Sequence, residues 1–166
     1  MGYQLMVAGN DTTASLISNG ALRLIENPDQ LRLLVASPER IPDAVEEMAR
    51  YDSPTVQSPP RITTCDVELH GQQIRRGDTL ACFYASANRD DAVFDDPFRF
   101  DISRDPNPHL GFGTGEHFCL GAHVARLSSR ALFLELARRI ESMEAAGTPS
   151  HIASSFVVGL KTLPIR

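Results

Sequence analysis

Phe112-Gly113-Thr114-Gly115-Glu116-His117-Phe118-Cys119-Leu120-Gly121 is the stretch on which the reading of this chain turns. It is a glycine-rich loop that ends in a single cysteine, and a helical pattern follows at once. A cysteine at a helix start meets free N–H groups at the positive end of the helix dipole. That setting favours the thiolate, the form that ligates metals. Gly113 and Gly115 let the backbone turn sharply, and Gly121 leaves room for a flat ligand. His117 can offer a hydrogen-bond donor to that ligand's edge. Leu120, Val124, Leu127, Ala131 and Leu134 recur at helical steps and predict a helix to about Ile140 with these residues as its apolar stripe. Arg126, Arg130, Arg138 and Arg139 fall largely off the stripe and predict a basic face.

Other chemistries compete for the same loop. Gly111, Gly113 and Gly115 look like part of a dinucleotide fingerprint, but that motif follows a hydrophobic strand, and Arg104-Asp105-Pro106-Asn107-Pro108 is not one. His117, Cys119 and His123 are a conceivable zinc set, although no second cysteine lies nearby. A lone cysteine is also often just a small buried hydrophobe. Composition narrows the field. The chain has 166 residues, 42% hydrophobic and 22% charged, as in one globular domain or part of a larger one. A net charge of −5 with no basic run argues against nucleic acid. No apolar run spans a membrane and no signal peptide opens the chain, so a cytoplasmic protein without a membrane anchor is expected. Met6 occupies the Ser/Thr place of a myristoylation signal. The three cysteines lack paired spacing, which suits a reducing compartment; Cys65 and Cys82, in strand-like runs, are predicted to be core residues.

Working outward, Tyr3 to Glu26 predicts one long, mostly apolar helix closed by Asn27-Pro28. Gly9 weakens it, and the Thr12 hydroxyl can bond back to the Ala8 carbonyl, opening a polar notch in an apolar wall. Alternatively, Asp11 or Thr12 caps a shorter helix. Pro28 to Ala36 and Pro42 to Tyr51 predict two further helices. Glu47 and Arg50 share a face of the second; such a pair is ordinarily solvated. Ser53 to Pro60 reads as an extended connection. Ile62 to Leu69, Gln73-Ile74 and Thr79 to Ala85 have strand character, with a turn at Gly71.

Three of these stretches together resemble the cytochrome P-450 family of haem-thiolate monooxygenases. The loop fills the family's F-x-x-G-x-H-x-C-x-G pattern at Phe112, Gly115, His117, Cys119 and Gly121. Ala8-Gly9-Asn10-Asp11-Thr12-Thr13 is similar to its central-helix motif, and Glu47-Met48-Ala49-Arg50 matches E-x-x-R, with Arg99 in the third place. The resemblance runs in order along essentially the whole chain. It implies a mainly α fold with small β-sheets, the C-terminal portion of the P-450 fold, with residues 1–166 a partial domain whose N-terminal half is absent. It implies haem b with Cys119 as the iron ligand and Arg61, Phe112, Gly113, His117 and Gly121 as further cofactor contacts. Asp11 and Thr12 become the acid–alcohol pair that delivers protons to O2. Glu47, Arg50 and Arg99 become a buried structural network. Ala8, Val56, Ser58, Phe156 and Val157 become substrate contacts.

The implied reaction inserts one oxygen atom of O2 into a hydrophobic substrate. Gly147 to Arg166 looks like the family's last β-hairpin and is similar to that of bacterial members acting on sterol side chains, terpenoids and fatty acids. Electrons are expected from an NAD(P)H-dependent reductase through a ferredoxin or flavodoxin, since no flavin or iron–sulfur signature is present; acidic carriers would dock on the basic face. Two alternatives stand beside this: a peroxide-dependent peroxygenase, and a truncated non-catalytic product or haem-thiolate sensor. The chain opens in the apolar run Leu5-Met6-Val7-Ala8 with no leading loop. It is therefore expected to be inactive as a fragment on its own.

Overall fold

The structure is a computed structural model that describes the backbone of residues 2–166 and side chains from Met6 onward. Helix α1 runs Gly2–Glu26, α2 Pro28–Ala36 and α3 Ile41–Tyr51. A short α4 spans Tyr84–Ala87 and α5 spans Ala122–Arg139. The expected long helix is continuous. Thr12 does donate to the Ala8 carbonyl at 2.6 Å, but the bond leaves the helix unbroken.

The core lies where α1, α3 and α5 meet, with α2 against them. Leu16 and Leu24 of α1, Leu31 and Leu34 of α2, Val45 and Met48 of α3 and Phe133 of α5 close over Phe100 and Ile102 from the irregular segment before the loop. Each turn of α3 carries both apolar and polar residues, so one face joins this core and another meets that irregular segment.

Helix α5 departs from expectation. Its buried residues are Ala122, Ser129, Phe133 and Ala137, whereas Leu120, Val124 and Leu127 are 74%, 67% and 69% exposed. Small side chains let α5 lie close on its neighbours, so the bulky stripe is turned outward.

Six short strands form three antiparallel pairs. Strand β1 (Arg61–Ile62) pairs with β4 (Thr79–Leu80), and β2 (Val67–Leu69) pairs with β3 (Gln72–Ile74). Strand β5 (Ser150–His151) pairs with β6 (Leu160–Thr162), the closing hairpin. The β2–β3 reversal sits at His70 and Gly71, both at positive φ, the geometry of a two-residue hairpin turn. The strand expected from Thr79 to Ala85 stops at Leu80 and gives way to α4. Cys65 and Cys82 are exposed, contrary to prediction. Two-stranded ribbons such as these offer no second layer in which to bury them.

The Glu47–Arg50 pair is fully buried. Arg50 donates from Nε and Nη2 to the two Glu47 carboxylate oxygens at 2.7 and 2.8 Å. Its remaining N–H groups reach the carbonyls of Asn88 and Pro97 at 2.8 Å and of Arg99 at 3.0 Å. All five donors of the guanidinium are thereby used. Glu47 also accepts from the Asp101 amide at 2.9 Å and from Asn107 at 3.1 Å. The third member of the network is not the Arg99 side chain, which is 63% exposed and lies 3.6 Å from Asp101. The turn from Asp96 to Arg99 aims backbone carbonyls inward and the Arg99 guanidinium out. Arg104, 10% exposed, supplies the second cation at 3.3 Å from Glu47.

Candidate functional site

The loop is built by local backbone bonds. Gly113 and Gly115 have φ of 73° and 65°, with extended Thr114 between them. Any side chain at either position would be strained. A 3-10 turn, Gly115–His117, follows. The Cys119 amide then donates back to the Phe112 carbonyl at 2.9 Å, closing the loop. Gly111 packs so tightly on α3 that a Cβ there would stand 2.5 Å from the Ala49 carbonyl oxygen. Helix α5 begins three residues beyond the cysteine, at Ala122. The Asn88 side chain ties the loop to the buried knot: its oxygen accepts from the Leu110 amide at 2.7 Å while its nitrogen donates to the Arg50 carbonyl at 3.3 Å.

Cys119 is exposed and opens onto a cleft of about 460 Å³, within the size range of small-molecule sites. One wall is α1, with Ala8, Gly9, Thr12, Thr13 and Leu16; the other is the loop with the first turns of α5, including Leu120, Gly121 and Val124. Pro54, Thr55 and Tyr84 close an end. Thr12 thus shares one apolar cleft with Cys119. Phe112, Gly113, His117, Gly121 and Ala8 also line it.

Several predicted residues stand elsewhere. Asp11 is exposed and off the cleft wall; one residue before Thr12, it sits roughly 100° around the helix. Arg61 is not in the lining and donates to the Pro59 carbonyl at 3.1 Å. Ser58 is buried, and its hydroxyl accepts from the Cys82 amide at 3.2 Å. Val56, Phe156 and Val157 also lie outside the lining. An isolated bridge pairs Thr55 with Val157, and side-chain alternation along that segment aims Thr55 at the cleft and Val56 away. Asn19 fastens this layer to α1 by donating to the Val158 carbonyl at 3.1 Å.

The residues missed from sequence are Pro54, Thr55, Tyr84 and Asn88, none of which has a local pattern, and Glu46. Glu46 binds His109 at 3.1 Å, Arg126 at 2.8 and 2.6 Å and Arg130 at 3.3 Å. Burial alone would raise the Glu46 carboxyl, but His109 and Arg126 outweigh it and bring it down to about 2. Arg126 and Arg130 are therefore turned onto Glu46, while Arg138 and Arg139 pair with Glu135. Each glutamate thus serves two arginines, so the basic face expected on α5 is only half offset by these partners.

The donor chemistry fits a haem held by one thiolate. A single exposed sulfur faces an apolar cleft, and Gly9 and Gly121 leave its walls shallow: a Cβ on Gly9 would meet nothing within 4 Å, and one on Gly121 only the Cys119 sulfur at 4.0 Å. Zinc fits poorly, because among the described residues no three His, Cys, Asp or Glu side chains gather to hold a metal ion.

Comparison with known proteins assigns this fold and cleft to a family. The family model described as Cytochrome P450 matches residues 41–164. The chain belongs to the cytochrome P450 family, whose members are monooxygenases. It is 45% identical over 162 residues to cytochrome P450-terp from a Pseudomonas species, covering 98% of this chain and 38% of that protein. It is also 45% identical over 163 residues to a methyl-branched lipid omega-hydroxylase of Mycobacterium tuberculosis, covering 97% and 38%. Its structure is similar to that of CYP109E1 from Bacillus megaterium in complex with testosterone, with a TM-score of 0.95 at 40% identity, covering 99% of this chain and 47% of that one. The chain thus spans 38% of the length of the two curated relatives. Among the described residues no helix is long and apolar enough to cross a membrane.

Proposed function

We propose that Cys119 is the axial ligand of haem b in a cytoplasmic monooxygenase that oxidises a hydrophobic small molecule. The observation that carries this is the exposed Cys119 sulfur opening, with Thr12, into one apolar cleft. When bound, a thiolate-ligated haem supplies O2 activation, its sulfur donating the electron density that favours O–O cleavage. The residues supply the rest. Leu120 and Val124 on one wall and Ala8 and Leu16 on the other offer a ligand apolar contact. The Thr12 hydroxyl, donating to Ala8, keeps lone pairs that can accept from a water in the cleft and hold that proton donor in place. His117 reaches the cleft rim and can meet a haem carboxylate; Arg61 could join it by releasing Pro59.

An apolar lining favours a sterol, terpenoid or fatty-acid substrate, and the named lipid hydroxylase and the testosterone complex point the same way. Electrons would come from NAD(P)H through a reductase and a ferredoxin or flavodoxin. In this reading residues 1–166 form the C-terminal portion of the catalytic domain, and the outward Leu120, Val124 and Leu127 require a covering surface before turnover.

The test is spectroscopic. In the haem-loaded protein Cys119→His should abolish the red-shifted Soret band of the ferrous–CO complex; a band that survives overturns the assignment. In the same protein Thr12→Ala should leave NAD(P)H consumption running while peroxide replaces hydroxylated product. Weaker substrate binding with unchanged coupling would remove Thr12 from proton delivery.

A further inference from the structure

We propose that Glu46 is a positioning residue that, through Arg126, sets the electrostatic field at the Cys119 sulfur; this rests on Cys119 being the iron ligand. Glu46 and Glu47 are neighbours on α3 but face different parts of the molecule. Glu47 serves the buried knot. Glu46 faces α5 and the base of the cysteine loop, and grips both.

It grips the loop through His109. The His109 Nδ1 accepts from the Gly111 amide at 3.1 Å, so its Nε2 carries the proton that goes to Glu46. It grips α5 through a fork: Arg126 donates to one carboxylate oxygen from Nε and to the other from Nη2. That fork holds the guanidinium 4.4 Å above the Phe112 ring, a cation–π seat. Phe112 in turn accepts the Cys119 amide through its carbonyl. Carboxylate, guanidinium, ring and cysteine backbone therefore form one chain of contacts. Arg126 is held in its charged form first by its hydrogen bond to Glu46, and it also feels the Cys119 sulfur.

The charges around Glu46 do not cancel. One carboxylate meets Arg126 and Arg130, while His109 is neutral in the tautomer just derived. One positive charge is left over beside the loop. A net positive charge there stabilises the extra electron of the reduced iron and the negative sulfur. Glu46→Gln should make that local balance more positive, and Arg126→Gln should bring it to zero.

The experiment is a reductive titration of the haem-loaded protein, with the ferrous–CO spectrum recorded for every variant. Glu46→Gln is expected to raise the reduction potential and Arg126→Gln to lower it. Arg126→Lys keeps the charge but loses the fork, so it should hold the potential near the parent's while retaining haem less well. Opposite shifts for Glu46→Gln and Arg126→Gln support the proposal. Shifts of the same sign, or none, overturn it and leave Glu46 a purely mechanical clamp. If Glu46→Gln takes up no haem, the Arg126→Gln and Arg126→Lys pair decides alone, and equal potentials for those two overturn the proposal. A parent protein with no thiolate-type CO band would instead defeat the reading on which this rests.

Discussion

The knot around Glu47 and the walls of the cleft invert the usual placement of polar and apolar groups. In the knot two opposite charges are completely buried and every guanidinium donor is used. At the cleft Leu120 and Val124 stand mostly in solvent, as do Met6 on α1 and Leu127 on α5 outside its lining. Buried polar groups and exposed large apolar groups are the two informative exceptions to ordinary burial. The knot shows what a finished region looks like: desolvated charge is tolerated because each lone pair and proton has a partner. The cleft shows the opposite, an apolar surface that satisfies nothing within the chain and makes sense only against something bound or packed there. Stability should therefore be concentrated in the first region and function in the second.

The hardest attempt to break that contrast is on the knot. Glu47→Gln leaves Arg50 charged and buried without its counter-ion, which costs roughly 3–5 kcal/mol. Arg50→Lys loses the planar fork and at least two of the five hydrogen bonds. Denaturant unfolding should show a large fall in midpoint for both, and haem retention should drop more than turnover per haem. Near-normal midpoints would mean that the pair behaves like a surface contact after all.

A milder change probes the other region. Leu127→Glu, on the outward face of α5, should alter the unfolding free energy by no more than about 0.5 kcal/mol. In the chain as it stands, it should also reduce self-association on size-exclusion chromatography. A strongly destabilised Leu127→Glu would show that this face is already packed.

How much of this was legible beforehand follows the same division. The cysteine loop, α1 and the Glu47–Arg50 pair could be read because each is a contiguous run in which spacing alone brings the groups together. Phe112, His117 and Cys119 share one loop, and Thr12 reaches Ala8 across one helical turn. What failed depended on which way a segment turns in space. Arg99 occupies the expected place in order, yet the local turn sends its side chain out and leaves its carbonyl to do the work, while Arg104 takes over the charge. The stripe on α5 has perfect helical spacing, but spacing does not say whether the core lies on that side; the small residues Ala122 and Ser129 decided it. Val56, Ser58, Phe156 and Val157 lie outside the cleft lining for a similar reason. Thr55 and Val56 are adjacent, and only the pairing of Thr55 with Val157 fixes which one faces the cleft. Glu46 was overlooked because its partners lie 63 to 84 residues away.

A pH dependence sharpens the comparison by placing a third kind of charge between its extremes. Glu46 is partly buried, with its folded-state value at about 2 against an ordinary 4.5. Because the folded value is depressed, its stabilisation is fully present above about pH 4.5 and is lost as the pH falls towards 2. Glu46→Gln has no such titration. The gap in unfolding midpoint between parent and Glu46→Gln should therefore be widest near neutral pH and narrow steadily below pH 4.5. Glu135 is the control. Hydrogen bonds from Arg139 lower its carboxyl too, but all three partners are solvent-exposed, and water and salt screen such pairs. Glu135→Gln should shift the midpoint little at any pH, and added salt should remove what shift there is. Denaturant titrations of both variants between pH 6 and pH 3, at low and high salt, make the measurement. A Glu46 gap that stays constant with pH would mean that His109 and the arginines hold a neutral carboxyl as well as a charged one, and charge would then play no part in the clamp.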